Sequence, residues 1–271
     1  MKSNVVGAVS KPTPEKLVRM YETFDDGQSS EIRRQFREGS MTIEDVQALI
    51  DHRQPLVPAP QIDLPQVVIP NLRKTGQTLA DWLKARETLH TFFTGETIVL
   101  TDNFAFTEEE LASTTLMPAF RSAGATNRMA VDWKKKMGET VPHEEVDVMG
   151  YKNSGGPEEP ELYLLNRSLR PDEDTLGDSS KSPDGLIQVP NKLWIGLYSW
   201  SDADTLHAAI TGKHLDPETR CWFPEDRLPG GGVARGGSRA GQAGFFWGYA
   251  GRCDSYCGAR SAKRVPLKPQ T

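Results

Sequence analysis

Three cysteines, two histidines and a crowd of glycines hold most of what could be chemistry in this chain of 271 residues. Cys253 and Cys257 form a Cys-x3-Cys pair, with Cys221 upstream and His207 and His214 seven residues apart. Three thiolates and an imidazole would satisfy tetrahedral zinc, which takes four N or S ligands. The spacing argues otherwise, because zinc knuckles use Cys-x2-Cys and there is no second pair. No metal and no cofactor are therefore expected. Three cysteines behind a start that has no leader-like apolar core read as reduced thiols of a cytoplasmic protein.

Other constellations are weaker. Gly230, Gly231, Gly232, Gly236 and Gly237 resemble a phosphate cradle only in composition, since a P-loop needs Gly-Lys-Ser/Thr opening a helix and no lysine follows. The single Arg235-Gly236-Gly237 lacks the repetition and basicity of RNA-binding tracts. His143, Glu144 and Glu145, and Asp172, Glu173 and Asp174, could hold a hard cation but fit solvated acidic loops better. Lys134, Lys135 and Lys136 read as a solvated helix face, and five histidines give no Ser-His-Asp spacing.

The elements that position these residues divide the chain. Residues 1–53 read as three short amphipathic helices, and residues 54–76, with five prolines, as a stiff extended connector. A further helix fits residues 77–94. From residue 95 the pattern turns mixed: a strand at Ile98, Val99 and Leu100, helices from Thr107 through residue 120 and over 126–136, and strands over 162–165 and 193–198. Ser201, Asp202, Ala203 and Asp204 then read as the cap of a helix that reaches Ile210. The fold class is thus α+β, a small helical N-terminal segment followed by one larger domain over residues 95–271.

After Cys221 the chain is rich in glycine and aromatic residues and poor in aliphatic ones, which suits short strands joined by tight turns rather than helix. The run Ala234-Arg235-Gly236-Gly237-Ser238, then Gly244-Phe245-Phe246, closing on Gly258-Ala259-Arg260-Ser261-Ala262, resembles the C-terminal part of the formylglycine-generating-enzyme type of C-type lectin fold. Many such domains are variable proteins of diversity-generating retroelements, in which error-prone reverse transcription at adenines rewrites the end of the gene. That resemblance implies a C-type-lectin-like domain of short twisted strands with a loop-rich face, diversified within about residues 235–262.

It also implies a residue bias. Asn-type codons mutated at adenines become pyrimidine-ending codons, which cannot encode Glu, Lys, Gln, Met or Trp. Those types make up 56 of the 271 residues, and none occurs among the 15 from Gly248 to Ala262. The implied variable, ligand-contacting positions are Arg239, Gly248, Tyr249, Arg252, Cys253, Asp254, Ser255, Tyr256 and Cys257. Their scaffold is Arg235, Gly236, Gly237, Phe245, Trp247, Gly258 and Arg260. The position after Arg-Gly-Gly-Ser is often Trp in the family and is Arg239 here. Tyrosine, arginine, serine and aspartate together give the aromatic area and adaptable hydrogen bonding of antibody-type loops.

The expected function is non-enzymatic binding of a protein or small-molecule ligand. Two alternatives stand beside it: a metal-dependent oxidoreductase of the formylglycine-generating type using Cys253 and Cys257, and an interaction module working through the N-terminal helices. Composition trims the rest. With 32 basic against 37 acidic residues the net charge is -5, which disfavours nucleic acid and anionic membranes as partners. Only 37% of residues are apolar and the mean hydropathy is -0.52, so no membrane span is expected.

Overall fold

The chain separates into two compact units, Met1–Pro58 and Ala59–Thr271. The computed structural model describes residues 68–139, 141, 155–228, 230–239 and 242–269, all in the second unit. The three N-terminal helices and residues 54–67 of the expected connector lie outside the described residues, as do His143, Glu144 and Glu145.

Seven α-helices and eight strands follow in the described residues. Helices α1 (Val68–Lys74), α2 (Leu79–Thr94), α3 (Leu100–Asn103) and α4 (Glu108–Ala112) precede strand β1 (Leu116–Arg121). Helix α5 (Asn127–Lys136) and β2 (Glu161–Asn166) come next, then two 3-10 turns, α6 (Pro183–Ile187), β3 (Leu193–Trp194) and α7 (Leu197–Thr211). The C-terminal strands are β4 (Arg220–Arg227), β5 (Gly232–Arg239), β6 (Gln242–Tyr249), β7 (Cys257–Gly258) and β8 (Ser261–Val265). They form two four-stranded sheets, one antiparallel in the order β1-β2-β8-β3, the other in the order β6-β5-β4-β7 with β4 and β7 parallel. The fold is mixed α+β.

Local sequence explains the helix ends. Thr78 and Asp81 form a capping box at the start of α2, and Gly95 closes it in the left-handed conformation at φ 78°. Thr107 and Glu110 do the same for α4. Helix α7 starts at Gly196, which has no side chain to cap it; the Asp226 carboxylate takes the Leu197 N–H at 2.5 Å instead. A large core then gathers Trp82, Leu89, Trp133, Tyr198, Trp200, Leu206, Phe223 and Phe245 from α2, α5, α7 and the second sheet.

Six sequence expectations are corrected. The connector is not extended throughout, because Val68–Lys74 is helical; Pro70 falls in its first turn, where the missing N–H has no intrahelical partner to lose. Ile98, Val99 and Leu100 form no strand. The Leu100 N–H is taken by Glu87 Oε1 at 2.7 Å, and a single helical turn buries Leu100. The helix begun at Thr107 stops at Ala112, and residues 116–121 pair with β2. Pro118, which would break a helix, is tolerated in β1 because that strand is at a sheet edge.

Only Leu193–Trp194 of the expected 193–198 strand pairs in a sheet, since a short apolar run fits a buried helix start equally well. Asp202 and Asp204 are not caps but buried mid-helix residues of α7, and Lys134 is buried too rather than on a solvated face. These groups find one another: Arg86 on α2 meets Asp202 at 2.8 Å and Lys134 on α5 meets Asp204 at 2.5 Å. Asp202 also accepts the Phe120 N–H at 2.9 Å, pinning β1 to α7.

Breaking a buried pair from one side leaves the other charge uncompensated. Asp202→Ala is expected to lower unfolding stability in urea by about 3–5 kcal/mol. A loss below about 1 kcal/mol, the scale of a surface pair, would contradict this role.

Candidate functional site

The second sheet is covered on both faces, and that sets which of its residues can act. Phe223, Ala234 and Phe245 belong to the large core, whereas Trp222 and Val233 join a smaller cluster with Leu186, Trp194, Cys257 and Ala259. Glycines are placed where the layers press closest. A Cβ on Gly236 would meet the Phe223 ring at 2.8 Å and the Trp200 ring at 3.0 Å, and one on Gly248 would lie 2.6 Å from Trp222.

Buried guanidinium groups hold the closing segment. Arg260 binds Asp216 through Nε at 3.1 Å and Nη2 at 2.7 Å, and Asp216 also accepts the Trp200 indole N–H at 2.8 Å. Arg235 stacks 5.3 Å from the Trp222 ring and donates to Asp254 Oδ2 at 3.3 Å. Arg252 reaches the other oxygen of Asp254 at 2.7 Å. Asp172, expected in a solvated loop, instead accepts the Ser261 N–H at 3.0 Å, while Thr175 Oγ1 accepts that of Ala259 at 2.9 Å.

Three large aromatic side chains around this frame are exposed. Tyr249 is 69% exposed, Trp247 46% and Tyr256 39%. Trp247 and Tyr249 meet edge to face with centroids 5.7 Å apart. Arg220 at the start of β4 lies 4.3 Å from the Phe246 ring and 5.7 Å from that of Tyr256, linking the strand to the loop. Such pairs supply rigid contact area beside hydrogen-bonding groups.

The predicted residues divide accordingly. Tyr249, Cys253, Ser255 and Tyr256 are exposed and Arg252 is half-buried. Gly248, Asp254 and Cys257, placed with them in the variable set, are buried: Gly248 lies against Trp222, Asp254 is held between two arginines and Cys257 faces the small cluster. Arg239 pairs with Gln242 where the β5–β6 hairpin turns. Of the scaffold set, Arg235, Gly236, Gly237, Phe245, Gly258 and Arg260 are buried, whereas Trp247 is on the surface. Sequence reasoning missed Arg220 and Phe246. The only signal for them is their position at strand residues flanking aromatic ones, which does not say which rings a guanidinium will meet.

The cysteine readings fare differently from one another. Burial pushes the Cys257 thiol up to about 11, which keeps it protonated, and its sulfur is 3.8 Å from Arg235 and 3.9 Å from Asp254. Cys221 is fully buried and raised well above the ordinary thiol range for the same reason. Cys253 points outward. Among the described residues no convergent trio of possible metal ligands includes a cysteine, so the three-cysteine, one-histidine zinc set is not brought together.

Among the described residues one convergent trio exists, Glu139, Asp204 and His214, but the Lys134 ammonium already sits among them, 2.5 Å from Asp204 and 3.2 Å from Glu139. It is an ion-pair cluster with its cation built in. Elsewhere, a cavity of about 480 Å³ opens at the start of α7, where Asp226 already takes the first free helical N–H. Among the described residues no helix is long and apolar enough to cross a membrane.

Comparison with family models, with curated proteins and with solved structures finds no match to this chain. The thiols offer a direct check on the geometry. In the native protein a thiol reagent is expected to modify Cys253 alone, with Cys221 and Cys257 reacting only after unfolding, as mass spectrometry of the peptides will read. Native reaction at Cys257 comparable with Cys253 would contradict the buried placement.

Proposed function

We propose that this chain is a non-enzymatic ligand-binding protein whose C-terminal part is a C-type-lectin-like domain of the formylglycine-generating-enzyme type, with a surface diversified by a retroelement. One observation carries the reading. Between Arg-Gly-Gly-Ser and the closing Gly-Ala-Arg, the side chains of Tyr249, Cys253, Ser255 and Tyr256 face outward, while Arg235, Gly236, Gly248, Asp254, Gly258 and Arg260 are buried in the frame. A surface meant to vary needs that separation, since outward residues away from packing features change stability by only about 0.5 kcal/mol.

The proposed contact surface is accordingly narrower than sequence suggests: Tyr249, Arg252, Cys253, Ser255 and Tyr256 as replaceable positions, with Trp247 as a fixed aromatic anchor. No pyrimidine-ending codon encodes tryptophan, so Trp247 suits the fixed role. The ligand is a protein or a small molecule, met by rings and adaptable polar groups. Net charge of -5 supports a partner other than nucleic acid or an anionic membrane, and the protein is proposed to work in the cytoplasm.

Sequencing this gene from many cells of one population tests the proposal. Codons for Tyr249, Arg252, Cys253, Ser255 and Tyr256 are expected to vary while those for Gly248, Asp254 and Arg260 do not, with an adenine-differing near-copy and a reverse transcriptase gene in the flanking DNA. Uniform codons across the population and no near-copy would overturn diversification.

A further inference from the structure

The cluster around Lys134 is the part of the molecule whose charge balance can change near neutral pH. Two potential cations, Lys134 and His214, face two carboxylates, Asp204 and Glu139. With all four ionised the set is neutral. Lys134 and Asp204 have fully buried side chains, so an uncompensated charge there is not screened by water. His214 is 16% exposed and therefore within reach of solvent protons.

We propose that His214 is a pH-sensitive clasp: its protonated imidazole, with Nδ1 3.0 Å from Asp204 Oδ2, ties residues 213–219 to helix α7, and loss of the proton loosens that segment. Asp204 is the shared anchor. Its Oδ1 accepts the Leu215 N–H at 2.6 Å while Oδ2 serves both Lys134 and His214. Deprotonating His214 leaves one excess negative charge in the cluster and removes the cationic partner from the ion pair that His214 makes with Asp204.

Charged groups from each packed element face His214. Asp204 on α7 and Glu139 after α5 raise its proton affinity, while burial and Lys134 on α5 oppose them, and the net displacement is above the ordinary 6.5. Burial, countered by the Lys134 ammonium, leaves Glu139 raised from its ordinary value. Burial also acts on Asp204, but the combined pull of Lys134 and His214 carries it well below the carboxylate range, so it stays ionised. His207, the other imidazole on α7, is displaced downward by burial and has Nδ1 2.5 Å from the Lys213 carbonyl oxygen. Asp216 is already held by Arg260 and Trp200.

The sign follows from linkage. A histidine whose folded pKa lies above its unfolded one adds stability that is complete below the unfolded value and is lost as pH rises through the folded value. The clasp is thus closed below about 6.5 and opens on the alkaline side of it. The segment it holds is the root of β4: a Cβ placed on Gly237 would stand 2.8 Å from the Thr219 carbonyl oxygen, and the Arg220 N–H binds the Tyr256 carbonyl at 3.0 Å. This inference does not depend on what the aromatic surface binds.

Amide hydrogen exchange followed by NMR on the full chain tests it. The protection factor of the Leu215 amide is expected to fall, by at most about tenfold per pH unit, as pH rises from about 6.5 to the His214 transition, and to level off above it. The Gly212 amide, bonded to Ala208 within the helix end, is expected to keep its protection. In His214→Gln the Leu215 dependence is expected to vanish. A Leu215 protection factor unchanged from about pH 6 to about pH 9, or a fall undiminished in His214→Gln, would overturn the clasp. If that variant does not fold, the His214 ring resonances of the unaltered protein decide: their titration midpoint must coincide with the pH at which the Leu215 fall levels off, and a mismatch rejects the proposal.

Discussion

Burying Asp202 and Asp204 in the middle of α7 costs several kcal/mol per ion unless a cation is brought to each, and the rest of the structure is arranged around that requirement. Arg86 must arrive from α2 and Lys134 from α5, which fixes both helices against α7. Phe120 must give its N–H to Asp202, which fixes β1 and through it the first sheet. At the end of α7, Asp216 collects Trp200 and Arg260, and Arg260 belongs to the segment that leads into β8. One helix with three buried carboxylates on or just beyond it therefore ties together elements more than a hundred residues apart. This explains how a chain only 37% apolar specifies a definite packing: paired charges supply register where aliphatic side chains are few.

The same device extends to the aromatic surface. Asp254, held by the buried Arg235, fixes the loop after β6, and Asp172 with Thr175 fixes the approach to β8. Glycine then does what larger residues could not, letting β5 and β6 press against Trp200, Phe223 and Trp222. Because backbone, buried arginines and glycines hold the frame, the outward side chains are spared structural duty. Trp247, Tyr249 and Tyr256 can present large rings to solvent without weakening what lies beneath.

The sequence discloses part of this and hides the rest for identifiable reasons. Capped helices are legible: Thr78 and Asp81, and Thr107 and Glu110, announce α2 and α4 locally. The glycine-rich end is legible as strands and turns. Strand-like apolar runs mislead at Ile98 and at Leu193, where long-range hydrogen bonds donated to Glu87 and Asp226 favour helical turns that no local pattern contains. The charged core is hidden for the same cause. Ser201 to Asp204 look like a cap and Lys134 like a solvated residue, because only the folded chain brings their partners within 3 Å. Within the candidate site, residue type separates ring from glycine but cannot tell exposed Tyr249 from buried Asp254, which depends on an arginine 19 residues away.

The central claim is that a fixed frame carries replaceable surface positions, and a saturation substitution scan of residues 233–262, read by the abundance of folded protein, tests it most directly. The account predicts broad tolerance at Tyr249, Arg252, Cys253, Ser255 and Tyr256 beside intolerance at Arg235, Gly236, Gly248, Asp254, Gly258 and Arg260. Equal tolerance across both sets, or loss of folded protein on substituting the outward positions, would contradict it.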